Sequence, residues 1–347
     1  TLDPVFNSAT TEYSCTVKNN VTSVTVNATA TSTKAKVRGL GAKDLVEGKN
    51  TLPIRVIAED GSEKIYNVNV TRKNPGESVS IFKKEYEVID AEPTLTTSSN
   101  NTSDESGLYK STATNTGEPT YYFRGNVTNN YVSFAGFTWR IVRINEDGTI
   151  RIIMQDGINS NANIAFNSNY NNYTYMYYTN SQAKTTLESW YQTNIGSKAD
   201  LAKNVASGAY YCEQAKAKQS DSYTSGNATI PTYSKYTPDF KCASDGNNKG
   251  VVNASVGLLS YDEVVYAGGY YGQNNNNYYL YNNTYFWTMS PAGFSGSDSF
   301  VWDVTTAGNI NYGYVNYPLA VRPVLNLTAD TKISSGDGTK ENPFMVE

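Results

Sequence analysis

The chain has 347 residues with a net charge of -4, and 17% of them are charged; this balance argues against a nucleic-acid binder, which needs a basic stripe to displace counterions from phosphates. Histidine is absent, which excludes Ser-His-Asp and Cys-His nucleophiles, His-ligated zinc and imidazole pH switches. The three cysteines show no CxxC spacing and so no structural zinc site, and no apolar run reaches the roughly 20 residues of a membrane-spanning helix.

The length suits two or three domains. Charged residues fall below the roughly 25% of ordinary soluble domains, so Asn, Ser, Thr and Tyr must cover much of the surface, a coat that suits a secreted or cell-surface protein. The chain opens Thr-Leu-Asp-Pro without an initiator Met, so any signal peptide or upstream repeat is expected to lie before Thr1. Residues 1–72 read as strands: Tyr13, Cys15 and Val17 alternate, as do Val24, Val26 and Ala28, then Leu52, Ile54 and Val56, then Tyr66, Val68 and Val70. Asp60-Gly61 is a hairpin turn between the last two runs. Short alternating strands in so few residues predict a small antiparallel β-sandwich. Cys15 takes the inward register, as a small apolar thiol.

Lys73-Asn74-Pro75-Gly76 breaks the pattern, placing a linker at 73–80 and a second domain at 81–347. Glu85 to Ile89 reads as its first strand, and the Ser/Thr/Asn-rich stretch from Thr94 to Thr116 as a long surface loop or wrapping segment. Further strands are expected at Tyr121 to Arg124, Tyr131 to Phe134, and in a hairpin of Phe137 to Ile144 with Thr149 to Met154. In that hairpin Asp147 is a turn former rather than a calcium ligand. Ser181 can cap a helix to about Thr193, and a short helix is expected over Asp200 to Ala206. Ser260 and Glu263 have the spacing of a capping box, opening a helix that Gly268-Gly269 ends. The core strands follow: Phe286 to Pro291, Phe300 to Thr306, a Gly308-Asn309 turn, Asn309 to Val315, and Ala320 to Leu327 as one central strand. Pro343 to Val346 reads as a closing edge strand. The fold class is mainly β with short helices.

Two resemblances rest on these motifs. LDPVFNSATTEYSCTV, SVTVNATA and AEDGSEKIYNVNVTR resemble the cadherin-like β-sandwich repeat of bacterial surface proteins, over residues 1–72. TYYFRGN, GFTWRIVRINEDGTIRI, VGLLSYDEVVYAGG, FWTMSP, FVWDVTT and AVRPVLNL resemble a C-type-lectin-like domain, over about residues 80 to 347. The branch is the formylglycine-generating-enzyme-like one. It implies a fold more than an activity. The catalytic cysteine motif of those enzymes and the Glu-Pro-Asn or Gln-Pro-Asp sugar site of true lectins are missing, Glu92-Pro93-Thr94 being a poor echo.

Cys212 and Cys242 would form a disulfide in an oxidising compartment. Arg322, inside an apolar strand, requires a partner, and Asp303 or Asp262 would form its structural ion pair. Asp262 and Glu263 point about 100° apart on a helix, which disfavours a glycosidase pair. The remaining signal is recognition chemistry, with Tyr270, Tyr271, Tyr279, Trp302, Tyr312 and Tyr314 as ligand-binding candidates. The expectation is an extracellular bacterial protein, without cofactor or metal, that binds a protein or glycan on another surface. The alternative is a stalk or filament subunit that contacts copies of itself, and an enzyme is the last reading.

Overall fold

A computed structural model of the protein describes residues 2–17, 21–46, 48–72, 86–90, 93, 95, 106–213, 238–242 and 250–347. The chain divides into two compact units, Thr1–Glu77 and Ser78–Glu347; the stretch Lys73 to Gly76 lies outside the described residues.

The first unit holds β1 (Glu12–Val17), β2 (Ser23–Val26), β3 (Lys36–Arg38), β4 (Gly41–Asp44), β5 (Gly48–Ile57) and β6 (Glu63–Arg72), in a sheet ordered β1-β6-β5-β3 and a β2-β4 pair. The β5–β6 hairpin closes at the predicted turn, where Asp60 Oδ1 accepts from Ser62 N (2.9 Å) and Gly61 sits at φ +84°. The sheet is not wholly antiparallel as predicted. β1 runs parallel to β6, Tyr13 opposite Val68 and Cys15 opposite Val70. A parallel pair needs a crossover connection, and β2 to β5 supply it. Tyr13, Leu45, Ile54 and Val70 are buried, while Cys15 is a half-buried free thiol.

In the second unit a large sheet comprises β7 (Val88–Ile89), β8 (Gly107–Ser111), β9 (Thr120–Arg124), β10 (Tyr131–Phe134), β11 (Phe137–Ile144) and β12 (Ile150–Met154), joined later in the chain by three more strands. After β12 come β13 (Asn163–Ala165), α1 (Gln182–Tyr191), α2 (Ala199–Ala202), the pair β14 (Ala209–Cys212) and β15 (Val251–Ala254), and α3 (Tyr261–Ala267). The chain ends with β16 (Phe286–Ser295), β17 (Asp298–Val304), β18 (Ile310–Tyr314), β19 (Pro318–Ala320), β20 (Val324–Leu327), β21 (Ile333–Ser335) and β22 (Phe344–Val346). Here β13-β19-β16-β17-β18 form a five-stranded sheet, while β20 pairs with β12, and β21 and β22 extend the large sheet beyond β10.

The β11–β12 hairpin turns where Thr149 N and its hydroxyl both donate to Asp147 Oδ1 (3.0 and 2.6 Å), so Asp147 is a turn former. Ser181 caps α1 by accepting from Lys184 N (3.0 Å), and α1 buries Leu187 and Trp190, the latter 6.3 Å from the Trp139 ring.

Three expectations are corrected. The stretch from Thr94 to Thr116 contains β8, whose Leu108 and Tyr109 are buried on opposite faces, Leu108 in the main core and Tyr109 against Tyr122, Phe240 and Tyr266. Ala320 to Leu327 is not one strand: β19 belongs to the five-stranded sheet and β20 to the large one, with Val321-Arg322-Pro323 crossing between. Pro323 has no N–H to give a ladder, so pairing stops there. Finally, β22 is not an edge, because it lies between β10 and β21.

Candidate recognition site

The β17–β18 hairpin positions the aromatic side chains. Thr305 N donates to Asn309 O (2.9 Å) and Gly308 N to Thr305 O (2.9 Å), with Gly308 at φ +76°. Hydrogen-bonded and non-hydrogen-bonded pairs alternate along an antiparallel ladder, so Trp302 opposite Tyr312 and Phe300 opposite Tyr314 are non-hydrogen-bonded pairs, whose side chains stand closest. Trp302 meets the Tyr312 ring edge-on at 5.6 Å, and Phe300 lies 4.6 Å from Tyr314. Tyr271 reaches Trp302 edge-on (5.3 Å) and stacks near Tyr312 (6.4 Å), and Tyr317 continues the row 5.1 Å from Tyr314. Tyr261 of α3 closes the inner side, 4.9 Å from Trp302.

Exposure sorts the candidates. Tyr271 is 38% exposed, Tyr314 37% and Tyr317 52%, whereas Trp302 is 1% exposed and acts as the buried floor of the row. Partial burial beside Tyr312 raises the Tyr271 hydroxyl pKa. Tyr270 and Tyr279 belong to the core. Tyr270 is buried and accepts a hydrogen bond from Arg124 Nη2 (2.5 Å), and Tyr279 is buried with the Arg140 guanidinium 5.4 Å from its ring centre. Sequence placed them with Tyr271 because they share its loop; the backbone turns them inward.

The predicted ion pair between Arg322 and Asp303 does not form. Arg322 Nε donates to Met154 O (3.0 Å) and Nη1 to Leu280 O (2.7 Å), with the guanidinium 4.6 Å from the Phe286 ring centre. Main-chain carbonyls and a ring therefore take the place of the carboxylate, and burial lowers the Arg322 pKa to about 10. Asp303 lies in β17 opposite Trp287 and Asn311, fully buried, and neither carboxylate oxygen has a formed hydrogen bond. The Tyr285 hydroxyl faces it and only partly offsets burial, which pushes the carboxyl pKa up to about 8.

Sequence reading missed the main buried charge cluster. Arg143 and Arg151 meet Glu263, which lies 3.3 Å from Arg143 Nε and 2.6 Å from Arg151 Nε. Glu263 also completes the capping box of α3, accepting from Ser260 N (2.9 Å). Arg143 further approaches Glu146 (3.6 Å), which accepts from the Tyr210 hydroxyl (2.7 Å). The register of the β11–β12 hairpin was the available signal, since it sets the two arginines opposite one another. Asp262 accepts from Asp239 N (3.3 Å), and both adjacent acids are buried.

Cys212 and Cys242 form a disulfide across Cα atoms 5.1 Å apart. Among the described residues no cluster of three or more Cys, Asp or Glu side chains has metal-ligand spacing, and no helix is long and apolar enough to cross a membrane.

Comparison with known families finds two matches. Residues 1–73 match a cadherin-like β-sandwich domain. Residues 152–329, just over half of the chain, match a domain of unknown function, DUF6273. No curated protein and no solved structure matches the chain.

Proposed function

The chain belongs to the DUF6273 family, and on that footing we propose that it is an extracellular bacterial surface protein that recognises a partner without chemistry, through the tyrosine row at the β18 margin. The first unit supports the location, because cadherin-like domains occur in extracellular proteins. The same reading takes the second unit as a C-type-lectin-like domain of the formylglycine-generating-enzyme-like branch, on the order of its motif strands.

One observation carries the proposal: Tyr271, Tyr314 and Tyr317 are exposed on a floor of buried Trp302 and Phe300. Tyrosine gives a large, stiff contact area with a polar tip at low entropic cost, and a rigid aromatic floor holds it ready for a partner. The test is a triple variant, Tyr271→Ser, Tyr314→Ser and Tyr317→Ser, checked for unchanged circular dichroism. It is assayed for binding to bacterial and host cells and to a glycan array. A fall of about tenfold or more is expected, as for aromatic anchors of interfaces. Binding equal to the parent chain discards the row as the recognition surface.

A further inference from the structure

The margin of β18 offers main chain as well as tyrosine. Ile310 turns its backbone away from β17: its N–H donates to Tyr270 O (2.7 Å) and its carbonyl accepts from Gly272 N (3.0 Å). Backbone direction alternates along a strand, so Tyr312 and Tyr314 face the same way as Ile310. The chain's own segment does not reach them. At Gly272 (φ +68°) it turns back, and Asn275 N donates to Ala307 O (3.1 Å). Tyr317 N takes the Tyr314 carbonyl (2.9 Å), which leaves the N–H and C=O of Tyr312 and the N–H of Tyr314 without a backbone partner among the described residues. Sheet edges are normally guarded by a charge, a proline or a bulge, and Ile310-Asn311-Tyr312-Gly313-Tyr314 has no charge and no proline and pairs with β17 in unbroken register.

We propose that this margin binds an extended peptide segment of a partner protein by strand addition, with Tyr271, Tyr312 and Tyr314 contacting the peptide's alternate side chains. The inference rests on the recognition reading above and names its partner class. The segment Tyr270 to Gly272 already occupies the first rung in this manner, so the edge has the geometry to take a strand, and the added peptide continues from it. The size of the opening selects the occupant. From Tyr312 to Tyr314 it spans two residue steps, about 7 Å at roughly 3.4 Å per residue, and its three open backbone groups supply little of the roughly 1,000 Å² that a stable dimer needs. A peptide needs no more than the edge and its flanking rings. The uncharged strand favours a peptide uncharged at its central positions.

The probe is a bead-displayed library of random heptapeptides screened against the full chain, with the best binders resynthesised in two forms, each N-methylated at one alternate set of amides. One set is expected to lose about tenfold in affinity, the worth of one to two main-chain hydrogen bonds, while the other set changes little. Tyr312→Pro in the full chain, which removes an outward N–H, is expected to give the same loss. If that variant fails to fold, the N-methylated peptides decide on the unmodified chain. Affinity insensitive to both methylation sets overturns strand addition, as does a library without binders. Glycan binding that depends on Tyr271, Tyr314 and Tyr317, with no peptide binding, leaves the recognition reading standing and removes this inference. Silence in both arms removes both.

Discussion

Arg143 and Arg151 face each other directly across the β11–β12 ladder, both buried in the core of the second unit. Like charges opposite one another destabilise a sheet, and the pair is held by Glu263 inserted between them from the first turn of α3. Burial raises the Glu263 pKa, Arg151 and Arg143 lower it, and the net shift is downward. The carboxylate therefore contributes stability above its unfolded value near 4.5, and that contribution is lost as pH falls through the lower folded value. Glu263→Gln is expected to cost about 3 to 5 kcal/mol, because it leaves buried Arg151 without a carboxylate and Arg143 with Glu146 alone. Ser260→Ala, which removes only the cap, is expected to cost about 1 kcal/mol. Urea unfolding of both variants checks the order; equal losses would mean that the cap, not the charge, is what matters.

Asp303 titrates in the opposite sense. Burial holds its carboxyl near pKa 8 against 3.8 for the free group, so the stability tied to its neutral form is full below about pH 4 and drains away up to about pH 8, at about 1.4 kcal/mol per pH unit. Asp303→Asn removes this dependence. The variant is expected to be more stable than the parent at pH 8 and above, with the gap closing as pH falls towards 4. Thermal melts across that range measure the gap, and parallel pH profiles for variant and parent would place the charge of Asp303 elsewhere.

Local signals in the sequence were legible because local physics decides them. The Ser260–Glu263 box, the Ser181 cap and the turns at Asp60-Gly61, Asp147 and Gly308 all appear where the residue pattern put them. Long-range partnerships were not. A buried arginine in an apolar strand calls for a carboxylate, yet the Met154 and Leu280 carbonyls take the Nε and Nη1 of Arg322 while its Nη2 has no hydrogen-bond partner among the described residues, and no periodicity announces which distant backbone groups will be left over. Strand membership failed for the same reason at Val321-Arg322-Pro323, where a mostly apolar stretch hides a change of sheet. Of the six tyrosine and tryptophan candidates, Tyr271, Tyr312 and Tyr314 lie at the margin, while Trp302, Tyr270 and Tyr279 lie inside. Composition gives a residue's chemistry and leaves open which way its loop turns it.

The disulfide between Cys212 and Cys242 closes 30 positions of chain. By loop-closure entropy in the unfolded chain it is worth about 3 to 4 kcal/mol. The double variant Cys212→Ser, Cys242→Ser is expected to lose that much in urea unfolding, and reductant is expected to move the parent chain to the same midpoint without affecting the variant. A midpoint unmoved by reductant would show that the bridge constrains nothing that the fold does not already hold.

Gly308 and Gly296 separate backbone strain from collision. Both sit in the left-handed region, at φ +76° and +64°, so alanine at either pays the Cβ cost of that conformation, about 1 kcal/mol. At Gly296 an added Cβ meets open space, whereas at Gly308 it would lie 1.8 Å from the Asn275 carbonyl oxygen. That carbonyl belongs to the segment that turns back from Gly272, so Gly308→Ala pushes on the loop that carries Tyr271. Gly308→Ala is expected to lose more than twice the stability of Gly296→Ala in thermal unfolding. It is also expected to weaken any binding that depends on Tyr271, while Gly296→Ala leaves binding unchanged. Equal melting temperatures for the two variants would mean that the loop yields freely at Asn275, and Tyr271 would then not be held in place by the β17–β18 turn.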